Sequence, residues 1–234
     1  MEPETMNIPT LALRGLTIFP HMILNFDVER EISIRALERA METQQEIFLV
    51  TQKEINVDYP TEKDLYSIGT VSHIRQILRL TEKSIRVIME GKSRAKIKRL
   101  WQNEPYLQAN VELLPELPAP RLTPKVDAML RQTYAAFGEY HSLLPNMSDD
   151  ILAAVMDQQD PGRLADYIAQ NINLRHQDKQ AILEELRPLI RLRKMDEILT
   201  REIEVISMEQ EVAENIRQRV TQVQKEHILQ EQIR

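Results

Sequence analysis

Four cations occupy every second position of one segment: Lys92, Arg94, Lys96 and Lys98, separated by Ser93, Ala95 and Ile97. Side chains alternate between the two faces of a β-strand, so this spacing predicts all four on one face. Arg99 and Trp101 follow closely. Such a face can hold phosphate or an acidic peptide. The competing reading is a solvated edge that resists aggregation. The second candidate is the string Phe19-Pro20-His21-Met22. Proline marks a loop there, and Phe19 and Met22 offer a soft apolar contact surface, methionine being adaptable. The competing reading places both side chains in the core.

Other strings fail the chemistry they suggest. Gly91-Lys92-Ser93 looks like the end of a phosphate loop, but Arg86 stands where the loop's first glycine is needed. Ser93-Arg94-Ala95-Lys96 matches the Ser-x-x-Lys of penicillin-binding enzymes. The chain has no Lys-Thr-Gly partner motif, and the segment reads as a strand rather than a helix start. His21, His73, His141, His176 and His227 are scattered, with no His-x-x-x-His pair to hold a metal. The chain has no cysteine, which excludes thiolate catalysis, Cys-ligated zinc and disulfides. No catalytic, cofactor-binding or metal-ligating residue is therefore predicted. The net charge of -6 disfavours a dedicated nucleic-acid binder. No apolar run approaches the roughly 20 residues of a membrane span, and the acidic start, Met1-Glu2-Pro3-Glu4, does not resemble a secretory signal.

The elements that position these residues fall into two kinds. Pro115, Pro118, Pro120 and Pro124 mark a linker, because proline opposes both helix interiors and central strands. Before it, the pattern predicts strands over 8–13, 23–28, 47–50, 68–80, 84–89, 92–101 and 106–114, with a hairpin turn at Thr81-Glu82-Lys83. One helix interrupts them, where Ile34, Leu37, Ala40 and Met41 recur at helical spacing between Ser33 and Thr43. After the linker all is helix. Ser148 to Asp150 cap one helix, Asp160-Pro161 start the next and Asp178 caps another.

From Pro188 a single charge-rich helical pattern runs to Arg234 with no terminating Gly, Asn or Pro near the end. At 1.5 Å per residue it would reach about 70 Å. That length predicts a connecting helix belonging to a longer protein. Its apolar stripe is dense from Leu189 to Met208, then thins to Val212, Ile216, Val220 and Val223, a coiled-coil-like seam. The expected organisation is α+β. A mostly antiparallel β domain with one early helix spans 1–117, a helical bundle spans 118–187, and the very long helix spans 188–234.

Several strings together resemble the N-terminal region of Lon protease, an ATP-dependent serine protease. They are Leu11-Ala12-Leu13-Arg14-Gly15 leading to Phe19-Pro20-His21-Met22, Gln52-Lys53, and Asp64-Leu65-Tyr66-Ser67-Ile68-Gly69-Thr70-Val71. Glu90-Gly91, Arg94-Ala95, Ile97, Leu164 to Ala169, and Thr200 to Glu204 continue the match in order. His21 departs from the glycine expected in that loop. The resemblance implies a PUA-like β domain, a helical bundle and a helix leading to an ATPase and a Ser-Lys protease. ATP, Mg and the catalytic residues would belong to those modules of the parent, with no counterpart here. It further implies a cytoplasmic hexamer that recognises unfolded or damaged proteins. PUA-like folds include RNA binders, so a nucleic-acid module is one alternative. A coiled-coil structural adaptor is another.

Overall fold

A computed structural model describes residues 4–232. Among the described residues there are six strands: β1 (Thr5–Leu13), β2 (Ile23–Val28), β3 (Glu46–Thr51), β4 (Ile68–Arg79), β5 (Ile85–Gln102) and β6 (Leu107–Leu113). Helix α1 (Glu31–Glu42) lies between β2 and β3. The strand order is β2-β5-β4-β3-β1-β6, and β5 also pairs with β6, so the sheet closes into a small barrel with β2 attached outside the ring. Closure is possible because β5 is 18 residues long. Its first half pairs with β2 and its second half with β6, while β4 lies along the other side. The mostly antiparallel pattern has one exception, β1 against β3, which run parallel. A parallel pair needs a crossover, and β2 with α1 supplies it.

Local chemistry explains the elements. On α1, Ser33, Ala36, Leu37 and Ala40 form the buried stripe that packs on the barrel. The turn after β4 lies at Thr81–Lys83, where the amides of Leu80 and Thr81 both donate to the Ser84 carbonyl at 3.0 and 3.2 Å. One strand is continuous where the sequence predicts two. The pairing of β5 with β4 shifts by one residue between Val71 and Ser72, which leaves Lys92 as a bulge. A bulge bends a strand without ending it.

The helical part comprises α2 (Pro124–Ser142), α3 (Asp149–Asp157), α4 (Pro161–Asn171), α5 (His176–Glu184) and α6 (Pro188–Gln232). Ser148 caps α3 by accepting from the Asp150 amide. Asp160 caps α4 by accepting from the amides of Gly162 and Arg163 at 2.8 and 3.2 Å. Asp178 does not cap α5: the cap position is Arg175, without a side-chain bond, and Asp178 lies inside the first turn. Leu192, Met195, Ile198 and Leu199 of α6 are buried in the bundle core, and Ile203 and Ile206 pack at its margin. Beyond them Met208, Val212, Ile216, Val220 and Val223 are exposed. The predicted run to Arg234 is followed as far as Gln232; Ile233 and Arg234 lie outside the described residues.

Candidate recognition surfaces and the domain junction

The loop Phe19–Met22 is a tight turn, not an open flap. The Met22 amide donates to the Phe19 carbonyl at 3.4 Å, with Pro20 second and His21 third in the turn. His21 has φ 65°, the left-handed value that a type II turn requires at its third position and that glycine adopts at least cost. The departure from glycine noted in the sequence thus falls where backbone strain is held. Gly91 completes the arrangement. Its amide donates to the Met22 carbonyl at 2.9 Å, and its carbonyl accepts from the His21 amide at 2.8 Å. A Cβ on Gly91 would lie 2.1 Å from the Phe19 carbonyl oxygen, so only glycine lets the turn cross β5 this closely.

The turn delivers Phe19 into the helical core, where it is fully buried among Leu130, Phe137, Leu164 and Ile168. The apolar contact surface expected there is therefore corrected. Phe19 and Pro20 are buried, Met22 is half-buried against the bundle, and only His21 is exposed. Burying a phenylalanine removes enough apolar surface to contribute about 2–3 kcal/mol, and that energy is spent joining barrel to bundle.

The cationic strand face is corrected too. Lys92 and Lys98 are bulge residues, since register shifts fall at each of them, and a bulge breaks the alternation on which the prediction stood. Lys92 pairs with Glu46 at 2.8 Å and Lys98 with Glu112 at 2.6 Å. Lys96 is exposed, with no ion pair among the described residues. Arg94 faces the bundle and is only 7% exposed. It donates to both oxygens of Asp166 on α4, at 2.8 and 2.9 Å, and to the Leu183 carbonyl at 2.7 Å. Arg191 of α6 reaches the same carboxylate at 2.9 Å and the Glu185 carbonyl at 2.7 Å. Barrel, α4 and α6 thus meet at one buried carboxylate between two guanidiniums. Burial pushes the Asp166 carboxyl up from its ordinary value, and Arg94 and Arg191 pull against it. Burial also pulls the Arg191 guanidinium down, with Asp166 opposing. A second polar tie crosses the junction, from Gln180 Nε2 to the Ile68 carbonyl at 2.9 Å. His21 Nε2 and Glu116 of the linker lie 3.1 Å apart at its surface.

Sequence reasoning missed Asp166. A usable signal exists: a lone carboxylate among Leu164, Ala165, Ile168 and Ala169, all of them buried, must find a cation. Next to it the linker runs without regular structure from Leu114 to Thr123.

The barrel's far end carries a groove of about 850 Å³ between the start of α1, the Asp58–Thr61 loop and the β5–β6 turn. Arg30 lies in its wall, donating to Gln52 Oε1 at 2.7 Å and to the Ala12 carbonyl. Tyr59 stands on its rim, 82% exposed. The groove's charges are mixed, with Glu31, Asp58 and Glu104 set against Arg30 and Arg35. No helix among the described residues is long and apolar enough to cross a membrane.

Two solved structures share this fold over most of the chain. The N-terminal domain of Mycobacterium avium complex Lon protease matches with a TM-score of 0.66 and 19% identity, covering 83% of this chain and 98% of that one. The Lon N-terminal domain protein from Xanthomonas campestris matches at 0.57 and 14%, covering 81% and 96%. At those identities the likeness concerns the fold alone. Sequence carries the family. The model of the ATP-dependent protease La (LON) substrate-binding domain matches residues 7–201, and the chain belongs to the Lon protease family. Lon protease of Brevibacillus choshinensis is 40% identical over 97% of this chain, and that of Clostridioides difficile is 38% identical over 97%. The chain spans 29% of the length of either relative.

Proposed function

We propose that this region captures unfolded or damaged polypeptide for a cytoplasmic Lon-type protease. It hands the captured chain to ATPase and Ser-Lys protease modules elsewhere in the parent. The match of the substrate-binding model to residues 7–201 carries the reading. The architecture supports it: a barrel and a bundle locked into one block, and a helix that leaves the block with its apolar seam exposed. ATP and Mg serve the parent's motor, and nothing in this region requires them. Hexameric assembly lets modest single-site affinities add by avidity. Of the residues first considered for substrate contact, His21 and Met22 remain reachable at the rim of the junction. The nucleic-acid alternative loses its main support, because Arg94 is spent on Asp166, and Lys92 and Lys98 on glutamates.

The test is a titration of fluorescein-labelled, reduced and carboxymethylated α-lactalbumin, followed by anisotropy, beside the native disulfide-bonded protein. Saturable binding of the unfolded form, at least about tenfold tighter than the native, is expected; that ratio is about 1.4 kcal/mol of preference. Equal affinities would overturn the reading.

A further inference from the structure

Among the described residues strand β2 pairs with β5 and with no other strand, so it is the open edge of the sheet. The Gly91 amide donates to the Met22 carbonyl and its carbonyl accepts from the His21 amide, so His21 and Met22 oppose Gly91 as a bulge and Met22 takes the hydrogen-bonded phase. Hydrogen-bonded pairs recur at every second residue of an antiparallel ladder. In the register Ile23↔Glu90 through Val28↔Ile85, the pairs bonded to β5 are then Leu24 with Met89, Phe26 with Val87, and Val28 with Ile85. The N–H and C=O groups of Ile23, Asn25 and Asp27 point the other way. No hydrogen bond to any of these outward backbone groups occurs among the described residues.

The side chains prepare the same edge. Ile23, Asn25 and Asp27 are exposed, Ile23 by 61%. On the opposite face Leu24 and Phe26 pack on the barrel core but stay half-buried, because α1 lies over β1, β3 and β6 rather than over this rim. An added strand would cover both. The Asp27 carboxylate is held by Arg86 Nε and Nη2 at 2.7 and 2.9 Å, and a charge on an edge strand discourages self-association. Two copies pairing antiparallel about Asn25 would set Ile23 against Asp27 at both ends, an apolar side chain facing a carboxylate. A second copy is thus a poor occupant.

We propose that the open edge of β2 takes an extended segment of unfolded polypeptide as an added strand. Main-chain bonds to Ile23, Asn25 and Asp27 supply sequence-tolerant affinity, and apolar guest residues settle beside Ile23 and over Leu24 and Phe26. The proposal rests on the capture reading above and assigns it a surface.

Two measurements on this chain test it, both with the labelled carboxymethylated α-lactalbumin. Asn25→Pro removes one outward donor and no bond to β5, whereas Asn25→Val keeps the donor. Asn25→Pro should weaken binding about tenfold, and Asn25→Val should stay within about twofold of the parent sequence. If Asn25→Pro does not fold, judged by circular dichroism and thermal melting, hydrogen exchange on the unaltered chain decides. At saturation with the unfolded protein, the amides of Ile23, Asn25 and Asp27 should slow about tenfold while those of Glu82 and Lys83 keep their rates. Firm binding with unchanged exchange at the three amides overturns the edge and leaves the capture reading standing. Absence of any binding by the unaltered chain overturns both.

Discussion

Replacing Asp166 by Asn keeps the shape of the junction and removes the buried anion that Arg94 and Arg191 share. The geometry sets the cost. Both guanidiniums reach the carboxylate at 2.8–2.9 Å, and the three side chains are between 4% and 8% exposed. With the charge gone, two cations face each other out of water. Breaking a buried pair by removing one partner costs about 3–5 kcal/mol, against about 0–1 kcal/mol for an exposed pair such as Arg86–Asp27. Arg191 keeps its bonds to the Glu185 and Leu186 carbonyls, which places the estimate at the lower end, about 3 kcal/mol. Urea unfolding provides the assay, with Trp101 fluorescence reporting the barrel and circular dichroism at the helical band reporting the bundle. The two transitions should coincide in the unaltered chain, as in one cooperative unit. Asp166→Asn should lower stability by about 3 kcal/mol. Adding Arg94→Met should recover part of the loss, giving a coupling of about 1–3 kcal/mol. A loss under about 1 kcal/mol with no coupling would refute the reasoning, since no uncompensated charge would then have been left behind.

Three further outcomes are expected. Gly91→Ala should destabilise by at least about 2 kcal/mol in thermal melting, because its Cβ meets backbone rather than a movable side chain. His21→Val should cost about 1–2 kcal/mol, because a β-branched residue resists positive φ, while His21→Gly should stay within about 0.5 kcal/mol of the unaltered chain. Hydrogen bonding from Arg187 holds the Glu185 carboxyl down at about 2. A depressed carboxylate stabilises the fold above its unfolded value and loses that contribution as pH falls through the folded one. Stability should therefore drop between pH about 4.5 and about 2 more steeply in the unaltered chain than in Glu185→Gln, as chemical denaturation at stepped pH will read.

What the sequence disclosed follows from the range of the forces involved. The proline linker, the Thr81–Lys83 turn and the Asp160 cap are local effects, and each lies where its residues predict it. The stripe on α6 changes from buried to exposed after Ile206, much as its apolar spacing thins. The candidate contact residues fared differently, because their fate is tertiary. Period-two alternation cannot foresee bulges at Lys92 and Lys98, which depend on the partner strands. Neither can it foresee that Arg94 meets Asp166, 72 residues away. Phe19 reads as a surface anchor or as a core residue until the bundle is folded over it. The parallel pairing of β1 with β3 leaves no mark in either strand, since composition does not encode direction.

The exposed half of α6 has a mechanical consequence. Its base is gripped by the bundle and by the Arg191 contacts, and Gln210 Nε2 donates to the Leu143 carbonyl at 3.0 Å. From Val212 to Gln232 the rod projects about 30 Å at 1.5 Å per residue. It is a lever whose clamped length, Pro188 to Gln210, is about equal to the length that projects beyond it. A tilt of about 10° at the base sweeps the far end through about 5 Å, close to the pitch of one helical turn. A push on the rod from its far end returns as torque on the junction, concentrated on α4, α6 and the strand that carries Arg94. The same leverage that spreads the block's reach loads the contacts that Arg94 and Arg191 make with Asp166.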